Sequence, residues 1–171
     1  MGAGSGVSMA AIQICKMLGA TVIATASTDE KTEKARTVLG ADHAFNYTKA
    51  PVDKEIRALT NKQGVDVALD HIGGDQWVPI LRATRNGGIV VTCGATAGFE
   101  PKEDLRQIFF RQVRVLGSTM GTDEELRAVM KQVFDGKLKP VIDRTYSLKD
   151  AADAHRRMES RASFGKIVLI P

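Results

Sequence analysis

Apolar positions along the chain change period repeatedly, and the changes mark out elements. Residues 9–18 are apolar at helical spacing and end at Gly19; residues 21–26 then read as a short continuous apolar strand. Ser27 with Glu30 forms a capping box for a helix running to about Leu39 and stopped by Gly40. A strand follows at 43–45, and Pro51 sets the first turn of a helix over 52–60. Gly64 turns the chain into a strand at 65–70, and Gly73-Gly74 precede a helix over 77–83. Asn86-Gly87-Gly88 is expected to break that helix before the β-branched run 89–93, whose continuity suits a parallel strand covered on both faces. Helix 105–110, strand 113–118, a Thr122/Glu125-capped helix to Phe134, strand 141–146, a Ser147-capped helix to Met158 and strand 166–170 complete the pattern.

Strands alternating with helices imply an α/β layer fold with a parallel sheet and right-handed crossovers. Ligands in such sheets sit beyond the C-terminal ends of strands. The stretch Gly2-Ala3-Gly4-Ser5-Gly6-Val7-Ser8 opens the first helix and so stands where that rule wants a ligand. A glycine turn at a helix N-terminus presents backbone N–H groups to a phosphate or pyrophosphate, although a plain tight turn has the same composition. Ser8 is the expected cap of that helix.

Composition narrows the picture. The 171 residues, 43% of them hydrophobic, suit a single domain spanning 1–171 with one core. The formal charge of +4 comes from interspersed signs without a basic block, which argues against nucleic acid. Cys15 and Cys93 are expected as buried free thiols in a reducing compartment. His, Cys and acidic residues show no metal-ligand spacing, so no zinc is expected, and His43 and His155 read as structural. No leader and no apolar run near the ~20 residues of a spanning helix is found, so a cytoplasmic protein without membrane contact is expected.

The order of motifs resembles the cofactor-binding half of the medium-chain dehydrogenase/reductase family, especially its quinone oxidoreductase-like and zinc-type alcohol dehydrogenase members. The landmarks are the glycine turn with Ala11-Ile12-Gln13, Leu39-Gly40-Ala41-Asp42 with Asn46-Tyr47, and Gly64-Val65-Asp66-Val67 with Asp70-His71-Ile72-Gly73-Gly74. They continue through Gly87-Gly88, Cys93-Gly94-Ala95-Thr96, Leu116-Gly117-Ser118, Ala151-Ala152-Asp153-Ala154-His155 and Phe164-Gly165-Lys166-Ile167-Val168-Leu169. The resemblance implies a Rossmann-type doubly wound parallel sheet that binds a nicotinamide dinucleotide and takes part in hydride transfer to or from an alcohol, aldehyde, enone or quinone. No catalytic residue is assigned, since the cofactor carries the chemistry. Gly4, Ser5, Gly6 and Val7, after the turn made by Gly2, would face the pyrophosphate.

The position of an NAD-type ribose carboxylate is Ala26, with no acidic residue before Asp29, so NADP is expected over NAD, which remains the alternative. By the same resemblance Ser27 and Lys31 would contact a 2′-phosphate, Tyr47 the adenine ribose, and His71, Cys93, Gly94 and Thr96 the nicotinamide end. The edge strand from Val113 to Ser118 would form a homodimer, as a long apolar edge needs covering.

Two family features are not found in the sequence: the N-terminal catalytic domain and the apolar strand before the glycine turn. The chain alone is therefore expected to be inactive, with substrate bound only where a catalytic domain is supplied. The first-strand position is expected to be filled by Ile167-Val168-Leu169-Ile170 or by a strand swapped from a second copy. The alternatives are a noncatalytic nucleotide-binding or oligomerisation module and a methyltransferase, whose nucleotide turn is similar but whose downstream motifs do not fit.

Overall fold

The computed structural model describes residues 2–171. In chain order the elements are α1 (Gly6–Met17), β1 (Ile23–Ala26), α2 (Asp29–Thr37), β2 (His43–Asn46), α3 (Val52–Leu59), β3 (Val65–Asp70), α4 (Trp77–Ala83) and β4 (Thr84–Thr92). They continue with α5 (Arg106–Phe109), β5 (Arg114–Gly117), α6 (Asp123–Phe134), β6 (Ile142–Ser147), α7 (Ala151–Glu159) and β7 (Lys166–Ile170). Single 3₁₀ turns at Gly74–Gln76 and Leu148–Asp150 precede α4 and α7. This is the α/β order the sequence predicts. Among the described residues no helix is long and apolar enough to cross a membrane.

The chain divides into two compact units. One comprises Ser27–Asp29 and Phe45–Met120. Its centre is the parallel sheet β3-β4-β5, with Val67 opposite Ile89, Leu69 opposite Val91, and Val91 opposite Leu116. Leu81 of α4 and Val90 of β4 are fully buried and pack with Ile80 and Val113. The expected break at Asn86-Gly87-Gly88 is absent: β4 runs through it for nine residues. The strand absorbs the glycines as an irregularity, with a register shift opposite Val65–Val67 and Gly87 at φ +68°. A Cβ on Gly88 would lie 2.7 Å from the Thr84 side chain and 3.0 Å from the Asp66 carbonyl, so the tight pairing requires glycine.

The other unit comprises Gly2–Ala26, Glu30–Ala44 and Gly121–Pro171. Its core is built from small residues, Ala3, Ala24, Ala26, Ala35 and Ala41, around Met9, Ile12, Leu39 and Phe164. The alanines let α1 and α2 lie close to β1, and the larger side chains fill what remains. β1 pairs with β2, and β6 pairs in parallel with β7. The C-terminal strand therefore does not fill the first-strand position. Tyr146 lies opposite Leu169 and Ser147 opposite Ile170, and among the described residues β7 pairs with β6 and not with β1. A swapped strand would come from another chain.

Both cysteines are free, but they are exposed rather than buried. Cys15 lies where α1 runs past its core, beside Met17 at 43% and Leu18 at 76% exposure. Cys93 sits just beyond the end of β4.

Candidate functional site

The predicted site residues fall into two groups, one in each unit. In the unit built around α1, the glycine turn is closed by Ser5 N–H donating to the Gly2 carbonyl at 2.9 Å, with Gly2 at φ +72°. Ala3 N–H donates to the Thr25 carbonyl of β1 at 2.8 Å, and Gly165 N–H donates to the Gly4 carbonyl at 3.2 Å. The helix cap is Ser5, not Ser8: the Ser5 hydroxyl accepts from Ser8 N–H at 3.2 Å. Ser8 occupies the third helical position, where its N–H is one of the groups a cap must satisfy. Gly4, Ser5, Gly6 and Val7 thus form one loop at the start of α1, as the sequence predicts.

The electrostatics of that loop favour an anion. α1 has no acidic residue in its first turn, so the positive end of its dipole is uncompensated. Lys166, read from the sequence as a motif and strand residue without a site role, brings a second positive charge. A Cβ on Gly6 would lie 2.8 Å from both Cε and Nζ of Lys166, so glycine here leaves the cradle into which the ammonium fits. Lys31 also borders the loop, its Cδ 3.8 Å from the Cβ position of Gly4. Its ammonium donates to the Arg161 carbonyl at 2.5 Å. Burial pushes the Lys31 pKa down, opposed mainly by the charge of Asp143.

In the other unit, residues 71–74 and 93–98 run side by side beyond the ends of β3 and β4. Cys93 N–H donates to the Asp70 carbonyl at 3.0 Å, Ala97 N–H to Ile72 at 2.8 Å and Gly74 N–H to Gly98 at 2.9 Å. A Cβ on Gly94 would lie 3.0 Å from the His71 carbonyl, and the Thr96 hydroxyl is 3.4 Å from the same oxygen. His71, Cys93, Gly94 and Thr96 are therefore brought together, with the His71 ring half-buried. The Cys93 thiol lies 3.7 Å from the Asp70 carbonyl, an acceptor rather than a base.

Asp70 organises this loop. Its side chain is fully buried, one oxygen accepting from Ile72 N–H at 2.9 Å and the other from Gly73 N–H at 3.0 Å. The signal in the sequence is an acidic residue at a strand end followed by two glycines.

Ser27 and Tyr47 belong to the same unit and meet through their neighbours. The Thr48 hydroxyl lies 3.5 Å from the Ser27 carbonyl and 2.7 Å from the Asn46 side-chain oxygen. Among the described residues no group of three His, Cys, Asp or Glu side chains could hold a metal ion.

The geometry can be set beside known proteins. Residues 6–135 match the family described as zinc-binding dehydrogenase. The chain is 37% identical over 164 residues to the 2-haloacrylate reductase of a Burkholderia species, covering 90% of this chain and 49% of that protein. Among solved structures, an NAD-dependent alcohol dehydrogenase superposes with a TM-score of 0.93 at 44% identity, covering 100% of this chain and 50% of that one. The quinone oxidoreductase of Pseudomonas syringae pv. tomato DC3000 gives a TM-score of 0.86 at 31% identity, over 99% and 55%.

Glycine turn, parallel sheet and family match together define a nucleotide-binding dehydrogenase domain. The chain belongs to the medium-chain dehydrogenase/reductase family and corresponds to its cofactor-binding half. It spans about half the length of the relatives it matches.

Proposed function

We propose that this chain binds NADP(H) as the cofactor half of an oxidoreductase that transfers hydride to or from an alcohol, aldehyde, enone or quinone. The observation that carries the reading is the glycine turn itself. An uncompensated helix N-terminus and the Lys166 ammonium converge at Gly6, two positive features that suit a pyrophosphate. Taken group by group, the residues suit the parts of a dinucleotide: Gly4 to Val7 and Lys166 a diphosphate, Ser27 and Tyr47 an adenosine ribose, and the loop of His71 and Cys93 to Thr96 a nicotinamide. The bound cofactor supplies the hydride. The chain orients it, with Asp70 fixing the His71–Gly74 loop in a defined shape. NADP is favoured because Ala26 stands where a ribose-binding carboxylate would repel a 2′-phosphate. A 44%-identical relative is named as an NAD-dependent alcohol dehydrogenase, so NAD is the alternative that the titration must separate.

Calorimetric titration of the purified chain with NADPH and NADH tests the reading. Saturable binding of NADPH, weakened at least fivefold in Lys166→Met with thermal stability unchanged, is the expected result. No binding of either dinucleotide overturns it.

A second reading, an oligomerisation module, draws on the outer edge of β5, which no described strand pairs, and on Phe110 at 73% and Leu116 at 47% exposure. A homodimer through this edge accompanies either reading and would be seen as a doubled mass in sedimentation. Turnover of a quinone or aldehyde with NADPH by the purified chain would exclude a purely noncatalytic role.

A further inference from the structure

We propose that the ion pair between Asp29 and Lys49 sets the choice between a 2′-phosphorylated and an unphosphorylated adenosine ribose. The inference rests on the cofactor reading above. Asp29 is the first carboxylate in the chain; it follows the end of β1 by three residues and opens α2, just after the strand end where dinucleotide-binding folds read the ribose hydroxyls. Left bare, it would repel a 2′-phosphate and accept hydrogen bonds from a 2′,3′-diol.

The structure shows it occupied. Lys49 Nζ pairs with one Asp29 oxygen, and Asn46 Nδ2 donates to the other at 2.8 Å. Asn46 is itself held in the orientation that presents its amide N–H₂, because its side-chain oxygen accepts from Thr48 N–H at 3.0 Å and from the Thr48 hydroxyl at 2.7 Å. The Thr48 hydroxyl reaches the Ser27 carbonyl at 3.5 Å, which ties the network to the turn carrying Ser27. Tyr47 lies between Asn46 and Thr48.

The network has the character of a specificity device rather than a staple. Asp29 and Lys49 side chains are 64% and 65% exposed, and pairs so solvated contribute little to stability. The other charges at the start of α2 are committed elsewhere. Glu30 pairs with Lys34 at 2.6 Å, and Lys31 donates to the Arg161 carbonyl. Lys49 is thus the cation that cancels the Asp29 charge beside Ser27 and Tyr47, and its ammonium is the group a 2′-phosphate would meet there.

Opposite effects of the two partners follow. Lys49→Met uncovers the carboxylate and removes the cation, so the ratio of NADPH to NADH affinity falls about tenfold. Asp29→Asn uncovers the ammonium, so the ratio rises about threefold. The double variant returns to within about twofold of the parent, and Lys49→Arg keeps the parental ratio. Dissociation constants for both dinucleotides, measured on all five proteins by fluorescence titration, read these ratios directly. The inference is overturned if the parent binds either dinucleotide while neither single variant moves the ratio more than twofold. Binding of neither dinucleotide by the parent would instead overturn the cofactor reading on which it rests.

Discussion

The two loops that carry the site residues share main-chain bracing and differ in what is added to it. The loop of residues 71–74 has a buried side chain at its centre, both oxygens of the fully buried Asp70 being taken by the backbone N–H groups of Ile72 and Gly73, in addition to its main-chain bonds to residues 97 and 98. The glycine turn of residues 2–6 is held by main-chain contacts from two directions, Thr25 on one side and Gly165 on the other, with a single hydroxyl cap at 3.2 Å. A loop centred on one buried carboxylate has much of its anchoring in a single side chain, whose loss leaves buried donors unpaired. A loop fixed by several weaker contacts loses its shape in steps, which suits a surface that closes on a ligand.

The sharpest way to break this contrast is at Asp70. Asp70→Ala leaves two donors without acceptors in a buried turn and should destabilise the chain by about 3 kcal/mol. Asp70→Asn, which keeps one acceptor oxygen, should cost less than half of that. Urea denaturation measures both. A loss under 1 kcal/mol for the alanine variant would mean that the loop holds its own shape and that the contrast is wrong.

A middle-sized effect lies behind the glycine turn. Asp143 accepts from Arg157 Nε at 2.5 Å and Nη2 at 2.9 Å and from Phe164 N–H at 2.9 Å, while the Phe164 ring lies 3.4 Å from the Cβ position of Gly4. The Arg157 hydrogen bonds hold the Asp143 carboxyl below the usual carboxylate range, with the Phe164 N–H assisting and burial opposing. Because the folded-state value lies below the unfolded value of about 3.9, the clasp contributes fully above that pH. It is lost as the pH falls through the lower folded value. Asp143→Asn should therefore cost about 2 kcal/mol at neutral pH. The gap to the parent should stay constant down to about pH 5 and close below about pH 4. A gap that widens on acidification would show that this carboxylate is not the one that titrates.

What the sequence reveals here follows how local each feature is. The capping box at Thr122 and Glu125 forms as written, the two side chains and backbone groups bonding reciprocally across one turn. Strand β3 has the bounds its apolar run predicts, and the motifs in fixed order identify the family. Pairing is a different matter. The run 166–170 is a strand as expected, but its partner is chosen by remote groups, Lys166 N–H reaching the Val141 carbonyl and Asp143 catching Phe164 N–H. Lys166 itself lies 160 residues from Gly6, so no local pattern connects them. Ser5 was hidden for a subtler reason. Ser5 and Ser8 both stand at the start of the apolar run, and neither has Glu or Gln three residues on to choose between them.

The smallest expected effect concerns that cap, and it separates holding the glycine turn from binding at it. Ser5→Ala removes the acceptor for Ser8 N–H and should cost about 1 kcal/mol, a third of the Asp70→Ala loss. Ser5→Asp restores a good cap, since aspartate serves as well as serine there and its charge suits the helix dipole. Its stability should therefore match the parent. The same carboxylate occupies the anion position at the start of α1, so dinucleotide affinity should fall at least tenfold in a protein that unfolds no earlier than the parent. Thermal melts and titrations on the two variants read stability and binding independently. If Ser5→Asp binds as the parent does, the N-terminus of α1 is a capped helix end and the phosphates lie elsewhere.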